Sequence, residues 1–114
     1  MGKGQTMSKD VDKVDISLLG EIDHLVHEPA RLMVMSLLYV VDSADFTFLM
    51  SQTGLTGGNL SAHISRLEDA GYLEVTKTFR GKRPNTTVKL TSQGREAFRD
   101  YAKRMKQVFQ DFDD

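Results

Sequence analysis

The sequence predicts an α+β domain that is mostly α-helical, and three features of the residue pattern predict it. Apolar residues recur at spacings of three and four through much of residues 15–71 and again through residues 97–112, as expected of amphipathic helices. Between these regions, residues 72–90 alternate apolar and polar side chains, which is typical of half-buried strands. A glycine-containing connection at residues 53–56 separates two short helical patterns. The chain therefore predicts several short helices, one β-hairpin and a long terminal helix.

Composition restricts the class of protein. A length of 114 residues favours one domain, and a 39% share of hydrophobic residues can form one modest core. The absence of cysteine excludes disulfides and thiolate chemistry and is consistent with a reducing cytoplasm. Because there is no long apolar run, neither a membrane span nor a secretory signal is expected. Residues 1–14 are polar and aperiodic and are predicted to be a flexible N-terminal arm before a domain at residues 15–114.

Charge is distributed unevenly along the chain, although the formal net charge is only −1. Residues 1–70 contain 5 Lys and Arg against 10 Asp and Glu, whereas residues 71–114 contain 10 against 6. A basic half of this kind is typical of proteins that contact nucleic acid, even where the whole protein is nearly neutral.

The first two helices are predicted on either side of a proline. A first helix from Asp15 is indicated by five apolar residues, which are Ile16, Leu19, Ile22, Leu25 and Val26. Pro29 suits the first position of a second helix, where its missing N–H is not needed. This second helix is apolar on most sides, so we expect it to be central and buried and to end at residues 42–45.

Two shorter helices follow. Thr47 is in a position to cap a two-turn helix that reaches Gln52. After the connection at residues 53–56, Thr56 is in a position to cap a fourth helix that closes at Gly71, with Leu60, Ile64 and Leu67 on its apolar stripe. Two short helices joined by a tight glycine-containing turn are the helix-turn-helix arrangement.

The fourth helix has a small, polar face opposite its apolar stripe, made of Gly58, Ala62, Ser65 and Asp69 and flanked by Asn59, Ser61 and Arg66. Such a face allows close approach to a DNA major groove, which is about 12 Å wide. Asn59 suits adenine, and Arg66 suits guanine or phosphate. The alternatives are a capping role for Asn59 and an ion pair between Arg66 and Glu68 or Asp69. Ser61 and Ser65 have the alternative of being small solvent-facing residues without a ligand. His63 lies between the two faces and is interpreted as a structural residue.

The alternating region predicts a hairpin with a basic tip. Residues 72–79 and 86–90 are the predicted strands, and residues 80–85 are the predicted loop. Three cations at the tip, Arg80, Lys82 and Arg83, with Lys77 behind them, are interpreted as phosphate or minor-groove contacts. A solvated loop tip is the alternative interpretation.

The last helix opens with Thr91 as a hydroxyl cap and continues for about six turns. Its apolar surface exceeds what one small domain needs, so we expect it to pair two subunits together with the first helix. The residues of this predicted dimer interface are Ile16, Leu19, Ile22, Phe98, Tyr101, Met105, Val108, Phe109 and Phe112. Packing of these residues on their own domain is the alternative.

Other clusters indicate no further chemistry. His24 and His27 lie three apart beside Glu28, but Pro29 breaks the helix there and no third ligand is near, so no metal site is expected. The chain has no Gly-rich phosphate loop after a strand, no supported Ser/His/Asp set and no carboxylate pair with a pocket. We therefore expect neither an enzyme nor a bound cofactor.

The order of these elements is that of a winged helix-turn-helix domain with a two- to three-stranded antiparallel wing. In one register over about residues 20–110, five segments resemble the small MarR/ArsR-like winged-helix regulators of bacteria and archaea. These segments are residues 28–32, 54–61, 63–72, 79–84 and 90–95. The resemblance implies a homodimeric transcriptional regulator whose outer helices pair the subunits and whose recognition helix and wing meet a half-site of double-stranded DNA.

The residues expected to contact DNA are Thr56, Gly58, Asn59, Ser61, Ala62, Ser65, Arg66, Lys77, Arg80, Lys82 and Arg83. A winged helix used as a protein–protein interaction module is the alternative function, and the acidic first half of the chain favours it. No residue pattern marks a pocket for a small-molecule effector.

Overall fold

The computed structural model describes residues 17–110 and residue 112. The predicted arm at residues 1–14, the predicted helix start at Asp15 and the predicted interface residue Ile16 lie outside the described residues. In chain order the elements are α1 Ser17–Gly20, α2 Pro29–Val41, β1 Ser43–Asp45, α3 Phe46–Thr53, α4 Gly57–Asp69, β2 Leu73–Arg80, β3 Arg83–Leu90 and α5 Ser92–Gln110. This order confirms the predicted winged helix-turn-helix fold.

The first helix ends earlier than predicted. Its described part is Ser17–Gly20, and residues 21–28 form turns instead of a continuous helix. Oδ1 of Asp23 accepts hydrogen bonds from the backbone N–H groups of Leu25 and Val26, at 2.9 and 3.4 Å. Such bonds from an aspartate to nearby backbone compete with helix formation. Val26 is nevertheless fully buried, so an apolar spacing that resembled a helix reflects burial within a turn.

α2 is the central helix, as predicted, and it contacts α3, α4, α5, β1 and β3. Pro29 occupies its first turn, and the carboxylate of Glu28 caps it by accepting the backbone N–H of Arg31 at 2.8 Å. Its buried side is formed by Ala30, Arg31, Val34, Met35 and Leu38. The expectation of burial on most sides is wrong for the other face, because Met33, Val40 and Val41 are exposed and Val40 reaches 82%.

The segment after α2 contains a strand that the sequence did not indicate. Residues 43–45 form β1, which pairs antiparallel with β3 and places Ala44 opposite Val88. The sheet therefore has three strands in the order β1-β3-β2. Asp45 also begins α3, because its Oδ1 accepts the backbone N–H of Phe48 at 2.8 Å. The predicted cap at Thr47 is therefore wrong.

The helix-turn-helix is formed by α3 and α4. Gly54 ends α3 with a φ of 74°, a left-handed conformation that glycine adopts without steric cost. Thr56 caps α4 as predicted, since its Oγ1 accepts the backbone N–H of Asn59 at 3.2 Å. The predicted apolar stripe of α4 is buried, and it shares one core cluster with α3 through Leu49, Leu60, Ile64 and Leu67.

The hairpin β2–β3 is the wing of this fold, and it is longer and more regular than predicted. Paired residues run from Leu73 opposite Leu90 to Arg80 opposite Arg83. Only Gly81 and Lys82 remain for the turn, and Gly81 has a φ of 63°. Glycine at the first central position is typical of the tight type II′ hairpin turn. The predicted loop at residues 80–85 is therefore mostly strand.

A close backbone contact joins the base of the wing to α5. The hydroxyl of Thr91 caps α5 by accepting the N–H of Gly94 at 3.0 Å, and it donates to the carbonyl of Gly71 at 2.6 Å. A Cβ atom added to Gly94 would lie only 2.1 Å from the carbonyl oxygen of Tyr72. No side chain fits at this position unless the wing and the helix move apart.

We predict that Gly94→Ala lowers the free energy of unfolding by about 1–3 kcal/mol, because the added methyl group overpacks a backbone contact. Urea unfolding followed by circular dichroism measures this change. Gly58→Ala is the matched control, since its Cβ would meet nothing within 4 Å and alanine is the better helix former. Equal unfolding midpoints for Gly94→Ala and the wild type would contradict the prediction.

Candidate nucleic-acid interface

The exposed face of α4 carries every helix residue that the sequence assigned to DNA contact. The structure places them at or near the solvent side of a helix whose other side is buried in the core. These exposed residues are Thr56, Gly58, Asn59, Ser61, Ala62, Ser65 and Arg66. No large apolar side chain stands among them, so the helix presents backbone and short polar groups to solvent.

The alternative roles of Asn59 and Arg66 find no support in the geometry. The cap of α4 is supplied by Thr56, and the Asn59 side-chain amide makes no hydrogen bond to the part of the chain that the structure describes. Within that same part, Arg66 forms no ion pair with Glu68 or Asp69. Both side chains are therefore exposed and available to a ligand.

A buried arginine that the sequence analysis did not single out connects α4 to the rest of the domain. Arg31 on α2 is only 8% exposed. Its Nε donates to the carbonyl of Leu25 at 2.6 Å, and its Nη1 lies 3.2 Å from Nδ1 of His63 on α4. His63 thus bonds within the protein, in line with its interpretation as a structural residue. The available signal was a single cation in an otherwise apolar helix.

Glu28 completes this cluster. Oε1 of Glu28 lies 3.9 Å from Nδ1 of His63. The hydrogen bond from the backbone N–H of Arg31 lowers the pKa of the Glu28 carboxyl, burial opposes that shift, and the nearby positive charge of Arg31 lowers the pKa further. The carboxylate therefore stays ionised next to the buried guanidinium.

The cations of the wing are all exposed, but they do not share one face of the hairpin. Lys77 lies on the face that packs towards α4, where it lines a groove of about 260 Å³ together with Ser61 and Ser65. Arg80 and Arg83 lie on the opposite face, because side chains alternate along a strand. The three predicted tip cations, Arg80, Lys82 and Arg83, lie in or beside the turn, and Lys77 lies further from it on the α4 side, so the wing has cations on both faces.

Arg80 and Arg83 are directly opposite each other across the two strands. Like charges in this position destabilise a hairpin. No ion pair relieves them among the residues that the structure describes. An anion bound between or beside the two guanidinium groups would remove this repulsion, which is the behaviour expected of a phosphate contact.

The described residues of the predicted dimer interface divide into three groups by burial. Ile22, Tyr101 and Val108 are each at most 5% exposed, so the expectation that they form a free apolar surface is wrong, because they are buried within the protomer. Phe98 and Met105 are partly buried against the core. Leu19, Phe109 and Phe112 are exposed. Further exposed apolar side chains that were not predicted are Met33, Val40, Val41, Phe48 and Phe79.

The histidines before α2 have protein partners or lie at the surface. Nδ1 of His27 lies 2.7 Å from the hydroxyl of Tyr101 on α5, and the two rings are in contact at a centroid distance of 5.7 Å. His24 is exposed. Over residues 17–110, no three His, Cys, Asp or Glu side chains are placed to hold a metal ion.

The family model for the winged helix DNA-binding domain matches residues 30–109, which span α2 to the end of α5. The chain belongs to this family. A Methanocaldococcus jannaschii relative described as the uncharacterized protein MJ0432 is 35% identical over 78 residues, which is 68% of this chain and 85% of the relative.

Solved structures show the same fold. A transcriptional regulator homologue protein from Pyrococcus horikoshii OT3 has a TM-score of 0.80 at 32% identity, and the match covers 85% of this chain and 98% of that one. A MarR-family transcriptional regulator from Silicibacter pomeroyi has a TM-score of 0.60 at 18% identity and covers 96% of this chain and 75% of that one. Both structures therefore share the winged-helix fold of this chain. None of the described helices is long and apolar enough to span a membrane.

We predict that Arg31→Met lowers the free energy of unfolding by about 1–3 kcal/mol, because Leu25 and His63 lose their hydrogen-bond donor inside the protein. Arg66→Met is the matched control, since Arg66 is exposed on α4, and its effect should stay within about 0.5 kcal/mol. Urea unfolding of both variants at neutral pH makes the comparison. If the two variants unfold at the same urea concentration, Arg31 does not stabilise the position of α4.

Proposed function

We propose that two copies of this chain bind double-stranded DNA sequence-specifically and regulate transcription. In this proposal α4 enters the major groove as the recognition helix, and the wing contacts phosphates and the adjacent minor groove. The observation that carries the proposal is the position of an exposed, small and polar α4 face beside a hairpin with four exposed cations. A surface of this kind offers both base readout and attraction to phosphate.

Affinity and sequence preference are assigned to different elements. The wing cations Lys77, Arg80, Lys82 and Arg83 neutralise phosphates, so they supply a salt-dependent affinity that is the same for any sequence. On α4, the side chain of Asn59 can make a bidentate contact with adenine, and that of Arg66 can make one with guanine. One such contact contributes about 1–3 kcal/mol of discrimination against the wrong base.

In this proposal the dimer interface is formed by exposed apolar side chains of, or next to, the first and last described helices. Leu19, Phe109 and Phe112 are exposed on or just after the two terminal helices, which contact each other in the protomer. The exposure of two phenylalanine rings and one leucine side chain favours association with a second copy. Two-fold pairing would place two copies of α4 on successive half-sites.

A protein-interaction module is the second candidate function. The exposed side chains of Met33, Val40 and Val41 on α2, with Phe48 on α3, favour it because they add apolar surface outside the wing and the polar face of α4. Such surface suits a protein partner more than a phosphate backbone. The DNA-binding measurements below separate the two candidates, since an interaction module has no affinity for duplex DNA at low salt.

We predict that replacing Arg80, Lys82 and Arg83 together with alanine weakens binding to every duplex and flattens the salt dependence. The slope of log K against log salt should fall by up to about 0.9 for each lost phosphate contact. Fluorescence anisotropy with labelled duplexes over a range of salt concentrations measures both effects. Replacement of Lys103 and Lys106, two exposed cations on α5, is the control and should leave the slope unchanged.

Selection from a random pool of duplexes distinguishes the residues that recognise bases from those that only increase affinity. Asn59→Ala and Arg66→Ala should change which sequences are selected from a random duplex pool, whereas the triple wing variant should select the wild-type sequences with lower affinity. If both sets of variants weaken all sequences alike, the assignment of base readers to α4 is wrong. If the wild type retards no duplex at low ionic strength, the proposal of DNA binding is wrong.

We predict a dimer at micromolar concentration, measured by size exclusion with light scattering. Phe109→Ser combined with Phe112→Ser should shift the mass towards the monomer, because these exposed rings lose their apolar contact with the second copy. Phe48→Ser, at an exposed aromatic of α3, is the matched control and should remain dimeric. A monomeric wild type would remove the arrangement on two half-sites.

A further inference from the structure

Phe79 is an exposed aromatic side chain on the wing that the proposed function has not used. It is 71% exposed, although it lies within β2 on the same face as the buried Leu73 and the partly buried Val75. Those two residues lie nearer the base of the wing, where they contact the core. Phe79 lies beyond them near the tip, so no described part of the chain covers its ring.

The face on which Phe79 lies is the face towards α4. Val75, Lys77 and Thr86 line the groove between the wing and α4. Phe79 is two residues beyond Lys77 on the same strand, so its side chain lies on that same face. The ring therefore extends the α4 side of the wing towards the turn, on the side where DNA held by α4 would pass.

The cross-strand partner of Phe79 makes this position rigid and apolar. Pro84 lies directly opposite Phe79. The proline ring restricts the backbone and offers no N–H. β1 pairs only with residues 87–89 of β3, so the free edge of β3 at Pro84 is open. Phe79 and Pro84 thus form a small apolar pair next to the two-residue turn.

The charged residues of the wing around this apolar pair are all cationic, and Glu68 of α4 is the acidic residue that lines the groove beside Lys77. Lys77, Arg80, Lys82 and Arg83 lie within five residues of Phe79, and the sequence from residue 75 to residue 95 contains no Asp or Glu. A partner that suits this segment must combine dense negative charge with apolar surface a few ångströms away. The minor groove of duplex DNA has this combination, with phosphates along its edges and sugar and base surfaces within it.

We propose that Phe79, backed by Pro84, enters the minor groove next to the bases read by α4 and packs its ring against sugars or a base step. The contact deepens the proposed function and rests on it. It gives the wing a part in sequence preference through groove width and ease of unstacking, in addition to phosphate attraction. In this arrangement Lys77 meets a phosphate on the same face as the ring, and Arg80, Lys82 and Arg83 meet phosphates from the opposite face and the turn.

The test uses the full chain and a duplex selected from a random pool by the wild type. Phe79→Ala should weaken binding at least about fivefold, which is the lower end of the effect of removing a stacked aromatic ring. Phe79→Leu, which keeps an apolar side chain, should weaken it less. The salt slope should stay unchanged in both, because no charge is removed, whereas Arg83→Ala should reduce it by about 1. Thr76→Ala, at an exposed position on the other face of β2, is the control and should bind like the wild type.

A second measurement tests the groove. Inosine in place of guanine removes the minor-groove amino group and leaves the major groove unchanged, and it is placed where hydroxyl-radical cleavage shows minor-groove protection. The substitution should change wild-type affinity and have a smaller effect on Phe79→Ala. An equal effect on both proteins would overturn the proposal.

The outcomes separate this inference from the proposed function. A wild type that binds no duplex overturns both. A wild type that binds, with a Phe79→Ala variant of equal affinity, overturns only the minor-groove contact. If Phe79→Ala instead loses dimer mass in light scattering, or loses binding to vesicles of anionic lipid while its DNA affinity is unchanged, the ring serves another partner and the proposal is wrong. Circular dichroism shows whether each variant is folded.

Discussion

The hydrogen bonds of the buried Arg31 guanidinium are the interaction on which the position of α4 depends. Removing a charge from water costs several kcal/mol unless it is well partnered. Here the guanidinium has two hydrogen-bond partners, the carbonyl of Leu25 in the turns and the ring of His63 on α4. The carboxylate of Glu28 accepts the backbone N–H of Arg31 and adds a favourable charge interaction with its side chain. Apolar packing alone tolerates small shifts of a helix, whereas these directional bonds allow one orientation of α4 against α2.

The turns at residues 21–28 extend this constraint to the other elements. Glu21 accepts a hydrogen bond from Arg104 of α5 at 2.6 Å, and His27 contacts Tyr101 of the same helix. Asp23 accepts the hydroxyl of Tyr72, the residue that begins the path from α4 into the wing. Burial and the neighbouring carboxylate raise the pKa of Tyr72 to about 12, so the phenol remains a donor at neutral pH. One irregular segment therefore positions α4, the wing and α5 relative to one another.

Sequence patterns predicted the features that depend on neighbours along the chain. The cap at Thr56, the helix start at Pro29 and the apolar stripe of α4 are local, so propensity and spacing suffice. β1 depends on pairing with a strand more than forty residues later, and nothing within its three residues indicates that partner. In the turns at residues 21–28, Ile22 and Val26 have helical spacing because both are buried, and burial alone does not define a helix.

The residues of the candidate site also differ in whether the local sequence or contacts with distant elements decide their positions. The small polar face of α4 follows from helical spacing, and the sequence placed its residues correctly on one exposed side. The role of Arg31 was not visible, because its partners lie on other elements. The separation of Lys77 from Arg80 and Arg83 depends on a hairpin register that extends to the turn, which the longer predicted loop had hidden. The pairing register of β2 and β3 therefore decides which cations face α4.

The uneven distribution of charge along the chain determines which elements would attract DNA in the proposed complex. The acidic residues of the first 70 positions outnumber the basic ones by 5, and the later residues have an excess of 4 positive charges. At physiological salt, charges act over about 8 Å, so an approaching duplex senses the nearest surface and not the net charge. In the proposed complex the wing supplies the attraction to phosphates, whereas α4 carries Arg66 together with Glu68 and Asp69 and so adds no net attraction. A helix of this composition gains from DNA chiefly by correct base contacts, because it has little general affinity that a wrong sequence would also receive.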